Sequence, residues 1–136
     1  LSEFLPGEEI TIDTLILKNK LQDIFIRTRD IMRSGISIKG KFIEDENIFR
    51  YIESIIDNIP GLEGPIGFQL KKSSKDDFLL LECNPRIQGT SISALGLGYN
   101  IPLMAVNNIL GIPNSNYRKK SGVSFCRYYK EIFYES

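Results

Sequence analysis

The sequence predicts an α+β domain, a mainly antiparallel sheet with helices on one face. Three observations point there. Glu9–Leu17 and residues 23–27 are runs rich in β-branched residues, separated by the turn formers Lys18-Asn19-Lys20, which is a hairpin pattern. Ile48, Ile52, Ile55, Ile56 and Ile59 recur at helical spacing. Residues 64–71 and Phe78–Asn84 read as two further strands joined by a polar turn, Lys72-Ser73-Ser74-Lys75-Asp76-Asp77.

Taken in order, the first hairpin leads into residues 27–43, which carry Arg27, Arg29, Arg33, Lys39 and Lys41 with glycines at 35 and 40. Neither a period of two nor one of 3.6 is clean there, so a strand passing into a glycine-containing loop is expected. The isoleucine helix follows, with Asp45 able to cap it, Glu46 suited to its first turn and Pro60-Gly61 stopping it. Its apolar face is expected to cover the sheet. After the second strand pair, Gln88-Gly89-Thr90-Ser91 is a loop, residues 92–97 are a short helical stretch, and Pro102 sits in the first turn of a helix running to about Leu110. Gly111 and Pro113 end that helix, and residues 122–133 return to strand-like composition.

Composition narrows the function. With 136 residues, 42% hydrophobic and 25% charged, the chain has material for one core. Lys+Arg and Asp+Glu are both 17, so no global field recruits nucleic acid or an anionic membrane. No apolar run approaches the roughly 20 residues that span a bilayer. Histidine is absent, which removes Ser-His-Asp and Cys-His nucleophilic machinery and histidine zinc sites. The two cysteines, Cys83 and Cys126, do not make a disulfide scaffold, and a cytoplasmic setting fits. Chemistry must therefore rest on carboxylates, amides, Lys, Arg and metal.

Alternation places Glu82 and Asn84 on one strand face and Leu79, Leu81 and Cys83 on the other, with Cys83 expected as a small core residue. Gln69 shares its face with Gly67 and Lys71. If Gln69 pairs with Leu80 or with Glu82, three oxygen-bearing side chains converge on one side of the sheet. Such oxygens suit Mg²⁺, which takes hard ligands and keeps water or phosphate in its remaining positions. Glu82 could bridge two ions, and Pro85 fixes the chain so that Arg86 arrives beside them, where a guanidinium can clamp phosphate. The same residues also suit a solvated strand rim with an Asn-Pro turn.

Glu3-Phe4-Leu5-Pro6-Gly7-Glu8-Glu9, Asp13, Gly64-Pro65-Ile66-Gly67-Phe68-Gln69, Leu81-Glu82-Cys83-Asn84-Pro85-Arg86 and Arg127-Tyr128-Tyr129 occur in the order seen in ATP-grasp enzymes. The chain resembles that superfamily over nearly its whole length, and within it most resembles proteins similar to the carbamoyl-phosphate synthase large subunit. The resemblance implies that Gln69, Glu82 and Asn84 hold Mg²⁺, or Mn²⁺ in its place. It implies that Arg86 is the catalytic contact to the terminal phosphates of ATP, and that Glu3 accepts hydrogen bonds from the ribose. Arg33 and Lys39, with Arg27, Arg29 and Ser37, resemble the basic strand and loop placed over phosphates and acceptor.

The implied fold is the C-terminal part of an ATP-grasp domain over residues 1–136, without the N-terminal subdomain whose glycine-rich loop covers the nucleotide. The opening phrase from Leu1, which leads straight into a strand, also reads as cut from something longer. The complete protein is then expected to phosphorylate a small carboxylate and pass the acyl phosphate to an amine, while these residues alone are expected to be inactive. Expected partners are ATP, the carboxylate, the missing half and a second copy in a homodimer. Two alternatives stand beside this ligase: another ATP-grasp chemistry, such as a carboxylase or peptide-type ligase, and a non-catalytic binding or oligomerisation module.

Overall fold

The computed structural model describes residues 3–114 and 121–135; Leu1 and Ser2 of the opening phrase lie outside them. Strands β1 (Glu9–Leu17) and β2 (Lys20–Thr28) pair antiparallel with Leu17 opposite Lys20. Only Lys18 and Asn19 make the turn, both at positive φ (52° and 57°), a geometry whose twist matches that of the flanking strands. The Asn19 side chain then has a second task. Its Nδ2 donates to Ile56 O at 3.0 Å and its Oδ1 accepts from the Gly61 and Leu62 N–H groups at 2.9 and 3.2 Å, tying the turn to the end of the first helix.

That helix, α1 (Glu46–Asn58), begins as the sequence predicts. Asp45 Oδ1 accepts from the Asn47 and Ile48 N–H groups at 2.9 and 3.1 Å, satisfying two of the donors a helix start leaves open. Ile48, Ile52 and Ile56 are buried, each worth roughly 1.5–3 kcal/mol of transfer free energy, whereas Ile59 lies past the helix and is exposed. Strands β5 (Gly64–Lys72) and β6 (Phe78–Asn84) follow, then a 3₁₀ segment Ser91–Leu97 and the helix α2 (Ile101–Leu110). Asn100 Oδ1 caps α2 through the Leu103 N–H at 3.1 Å, Pro102 sits in its first turn, and Gly111 ends it at φ 68°.

Residues 27–43 are more ordered than their irregular pattern suggests. Strand β3 (Ile31–Arg33) turns through Ser34 and Gly35, both at positive φ, into β4 (Ile36–Ile43), so the expected loop is a hairpin. The tail is the reverse case: only β7 (Ser124–Cys126) is strand, paired with β4, and the aromatics beyond it are exposed. Among the described residues the strands form one sheet of order β3-β4-β2-β1-β5-β6, with β7 on β4 and every pairing antiparallel.

The two faces of β1 serve different layers. Ile10, Ile12 and Ile16 join Ile24, Ile26, Ile66, Phe68 and Leu70 under α1. Leu15 joins Phe25, Phe42, Ala94, Tyr99, Ile101 and Met104 on the opposite side, where the Phe25 and Tyr99 rings meet edge-on at 4.8 Å. The mainly antiparallel α+β architecture is thus the expected one, with α1 covering the sheet; the 3₁₀ segment and α2 add a second layer on the other face. No helix among the described residues is long and apolar enough to cross a membrane.

Candidate functional site

The face of the sheet that carries Leu15 also carries Thr11 and Asp13 from β1 and Gly67 and Gln69 from β5, because Thr11 lies opposite Gln69 and Asp13 opposite Gly67. Gln69 in turn lies opposite Glu82, and Gly67 opposite Asn84. Of the two registers compatible with the sequence, the observed one pairs Gln69 with Glu82. A bulge follows at once: Leu70 pairs with Leu80, so Leu81 is extra and the alternation before it is inverted. Leu79 therefore sits opposite Lys71 and Leu80 opposite Leu70, and the Leu80 N–H donates to the Tyr51 hydroxyl of α1 at 3.2 Å. Cys83 does face away from Glu82 and Asn84, but β6 is an edge strand, so Cys83 is exposed rather than core.

Gln69 is held by Arg29. The guanidinium Nη1 donates to Gln69 Oε1 at 3.0 Å and to Glu9 Oε1, and Nη2 donates to Gly35 O at 2.6 Å. One side chain thereby links β1, β5 and the β3–β4 turn. Deeper on the same face, Arg27 Nη2 donates to Asp13 Oδ2 at 2.5 Å, with both side chains at least 96% buried (1% and 4% exposed). Burial pushes the Asp13 carboxyl above its ordinary value, opposed by the Arg27 charge and by hydrogen bonds from Arg27 and the Gln88 backbone. Burial likewise pulls Arg27 down, opposed by Asp13.

A cleft of about 340 Å³ opens over these residues, lined by Arg29, Arg86 and Arg127 together with Ser37, Gln69, Gln88 and backbone of the Gly89-Thr90 loop. The described lining holds three guanidinium groups and no carboxylate. Several buried polar atoms around it have no hydrogen-bond partner in the protein: Ser37 Oγ, Arg29 Nε and Asn84 Nδ2. Arg86 is exposed, its N–H bonded to Asn84 O at 2.7 Å across Pro85 and its Nη1 reaching Ile87 O at 3.3 Å. Its side chain is therefore free to meet an anion in the cleft.

The structure thus sets Gln69, Glu82 and Asn84 on paired strands with Arg86 two residues past Asn84; of the four, Gln69 and Arg86 line the cleft and Glu82 and Asn84 do not, and three other candidates lie apart. Glu3 is exposed ahead of β1, in the segment whose Gly7 N–H bonds Lys72 O at 3.0 Å. Arg33 is exposed at the β3–β4 turn, its guanidinium carbon 5.5 Å from the Tyr129 ring centre. Lys39 is exposed in β4, opposite Ile31 and Cys126 and outside the cleft lining. Sequence reasoning missed Gln88 and gave Arg127 no role. For Gln88 a signal existed, since a glycine inside a strand, Gly67, marks a close approach.

The chain matches, over residues 1–130, the family model described as ATP-grasp in the biosynthetic pathway with Ter operon. Its fold is similar to that of a phosphoribosylaminoimidazole carboxylase ATPase subunit from Aquifex aeolicus, with 15% identity and a TM-score of 0.68 over 88% of this chain and 38% of that one. It is also similar to an L-amino acid ligase from Bacillus licheniformis (17% identity, TM-score 0.65, 89% and 33% covered). A third is N5-carboxyaminoimidazole synthetase from Staphylococcus aureus complexed with ADP (15% identity, TM-score 0.62, 84% and 32%). The chain spans about a third of the length of these proteins. Among curated proteins, nothing matches the chain.

Proposed function

From the premise that the chain belongs to this ATP-grasp family, we propose that it forms the magnesium- and phosphate-holding side of the site in an ATP-dependent carboxylate–amine ligase. The register that sets Gln69 opposite Glu82, with Asn84 two residues on and Arg86 past Pro85, carries the reading. It supplies three hard oxygen donors and one guanidinium at a single sheet edge. Ligases of this kind transfer the terminal phosphoryl group of ATP to a carboxylate, and an amine then displaces phosphate from the acyl phosphate. A closer likeness to the carbamoyl-phosphate synthase large subunit belongs to the same proposal and rests on the sequence resemblance.

The residues fit a divalent cation. Gln69 Oε1 gives one lone pair to Arg29 and keeps another. Glu82 is an exposed carboxylate directly opposite, and Asn84, partly buried and opposite Gly67, adds an amide oxygen on the same face. Oxygen donors of this kind suit Mg²⁺ or Mn²⁺ rather than a soft metal. When bound, the ion neutralises phosphate charge and orients the phosphates. The chain's own groups do the rest: Arg29 fixes the Gln69 amide, Arg86 offers donors to phosphate oxygens, and Arg127 with Ser37 adds donors on the far side of the cleft. Positioning and charge stabilisation carry phosphoryl transfer, and no covalent role is assigned to any side chain.

The proposal assigns the covering glycine-rich loop to a segment outside residues 1–136, and it places the protein in the cytoplasm, where the unpaired Cys83 and Cys126 persist as thiols. Calorimetric titration with Mg-ATP tests the metal assignment on the protein and on Glu82→Gln, which keeps shape and removes charge. Affinity is expected to fall on the order of 10–100-fold. Binding that is the same in both proteins would remove Glu82 from the site.

A further inference from the structure

The loop that delivers Arg86 is anchored by one side chain that the reading above does not use. Gln88 is buried, and its amide is bonded to the sheet. Nε2 donates to Ile12 O at 3.0 Å and to Phe68 O at 3.4 Å, so a single amide bridges β1 and β5. The side chain lies in a slot that only a glycine leaves open: a Cβ on Gly67 would stand 2.3 Å from Gln88 Cγ. On the C-terminal side, the Ser91 N–H returns to Gln88 O at 3.1 Å and starts the 3₁₀ segment.

We infer that Gln88 is a positioning residue, which pins the Pro85–Thr90 loop to the floor of the sheet and so sets where the Arg86 guanidinium stands over Gln69, Glu82 and Asn84. The inference rests on the proposed role of Arg86 for its functional consequence, and on hydrogen bonding alone for its structural one. Arg86 has only a weak bond of its own, 3.3 Å to the adjacent Ile87 carbonyl, so its placement depends on the backbone that carries it. On one side that backbone leaves the sheet at Asn84, and two residues past Arg86 the Gln88 side chain ties it to the sheet again. Without the amide, Ile12 O and Phe68 O remain satisfied only as far as the ladder serves them, and the loop loses its tie to both strands.

Two readouts test this in the protein, in Gln88→Met, which keeps length and removes the donor, and in Gly67→Ala, which keeps the donor and fills its slot. Amide hydrogen exchange over residues 85–91 should speed up about tenfold or more in both variants, while exchange in α1 stays as it was. Mg-ATP affinity should fall in Gln88→Met to about the level of Arg86→Ala, and the Arg86→Ala/Gln88→Met double variant should bind no more weakly than Arg86→Ala alone. Unchanged exchange at 85–91 in both variants overturns the inference. So do additive losses in the double variant, which would make Gln88 act on the ligand independently of Arg86. If Arg86→Ala binds like the unaltered protein, the phosphate role of Arg86 fails, and the exchange measurement still decides whether Gln88 anchors the loop.

Discussion

Asp13 and Arg27 pose the residue-scale question of why a charged pair sits inside a sheet. The two side chains are buried to 4% and 1% exposure, and Arg27 Nε and Nη1 lack partners, so desolvation is only partly offset by their mutual attraction. Removing one partner leaves the other charge buried and bare. Asp13→Ala should therefore lower the free energy of unfolding by about 3–5 kcal/mol, read from urea denaturation. Replacing both partners together, Asp13→Leu with Arg27→Met, should recover most of that loss; a double variant as unstable as the single one would contradict this account. The sequence showed Asp13 and Arg27 as charged residues inside apolar strands, yet nothing in it linked them. Their meeting depends on the two-residue turn at Lys18 and Asn19, which sets Asp13 opposite Phe25 and Thr11 opposite Arg27. Arg29 was similarly visible only as a basic residue, because its partners Glu9 and Gln69 lie 20 and 40 positions away.

Among the elements, α1 was the most legible, since its period, cap and stop all agree in the sequence and in the structure. Strand parity in β5 and β6 also read correctly from Glu82 onward, but the bulge at Leu81 inverted it for Leu79 and Leu80. A bulge depends on how an edge strand twists against its neighbour, and a run of four apolar residues, Phe78 to Leu81, has no alternation that could reveal it. The β3–β4 hairpin was missed for a different reason. Ser34-Gly35 is a turn signal, but β3 is only three residues long and Ile31, Met32 and Ile36 are exposed, so no apolar period marked the hairpin. At the other end of β5, Lys72 Nζ reaches Glu8 at 2.9 Å and Asp76 at 3.0 Å, joining the segment before β1 to the β5–β6 turn. The hydrogen bond to Glu8, followed by that to Asp76, raises the Lys72 pKa above its ordinary value. A raised folded value means that this contribution is fully present below the unfolded pKa, and is lost as pH climbs through the folded one. In urea denaturation followed into the alkaline range, at about pH 10 and above, the protein should lose stability more steeply than Lys72→Met; equal slopes would show that the pair adds nothing.

The whole molecule separates its labour across the sheet. Among the described residues, eight buried sheet residues from Ile10 to Leu70 pack with Ile48, Ile52 and Ile56 of α1 into an apolar layer with no site residue in it. On the other side, the layer of Leu15, Phe25, Phe42 and Tyr99 continues directly into Thr11, Asp13, Arg27 and Gln88, so packing there and placement of the cleft share a surface. This division could not be read from the sequence, because it follows from β1 being flanked by β2 and β5, and β5 lies some fifty positions away in the chain. It predicts that equal losses of core have unequal effects on the site. Ile52→Ala and Leu15→Ala each truncate a side chain with no exposed surface, and each should lower stability by about 2–5 kcal/mol. Under conditions where both variants are folded, Mg-ATP titration should find Ile52→Ala binding like the unaltered protein. Leu15→Ala should bind more weakly, because the layer that supports Tyr99 and the Ser91–Leu97 segment carries the loop of Arg86 with it. Equal affinity in the two variants would mean that the sheet passes strain between its faces, and that the site depends on the core as a whole.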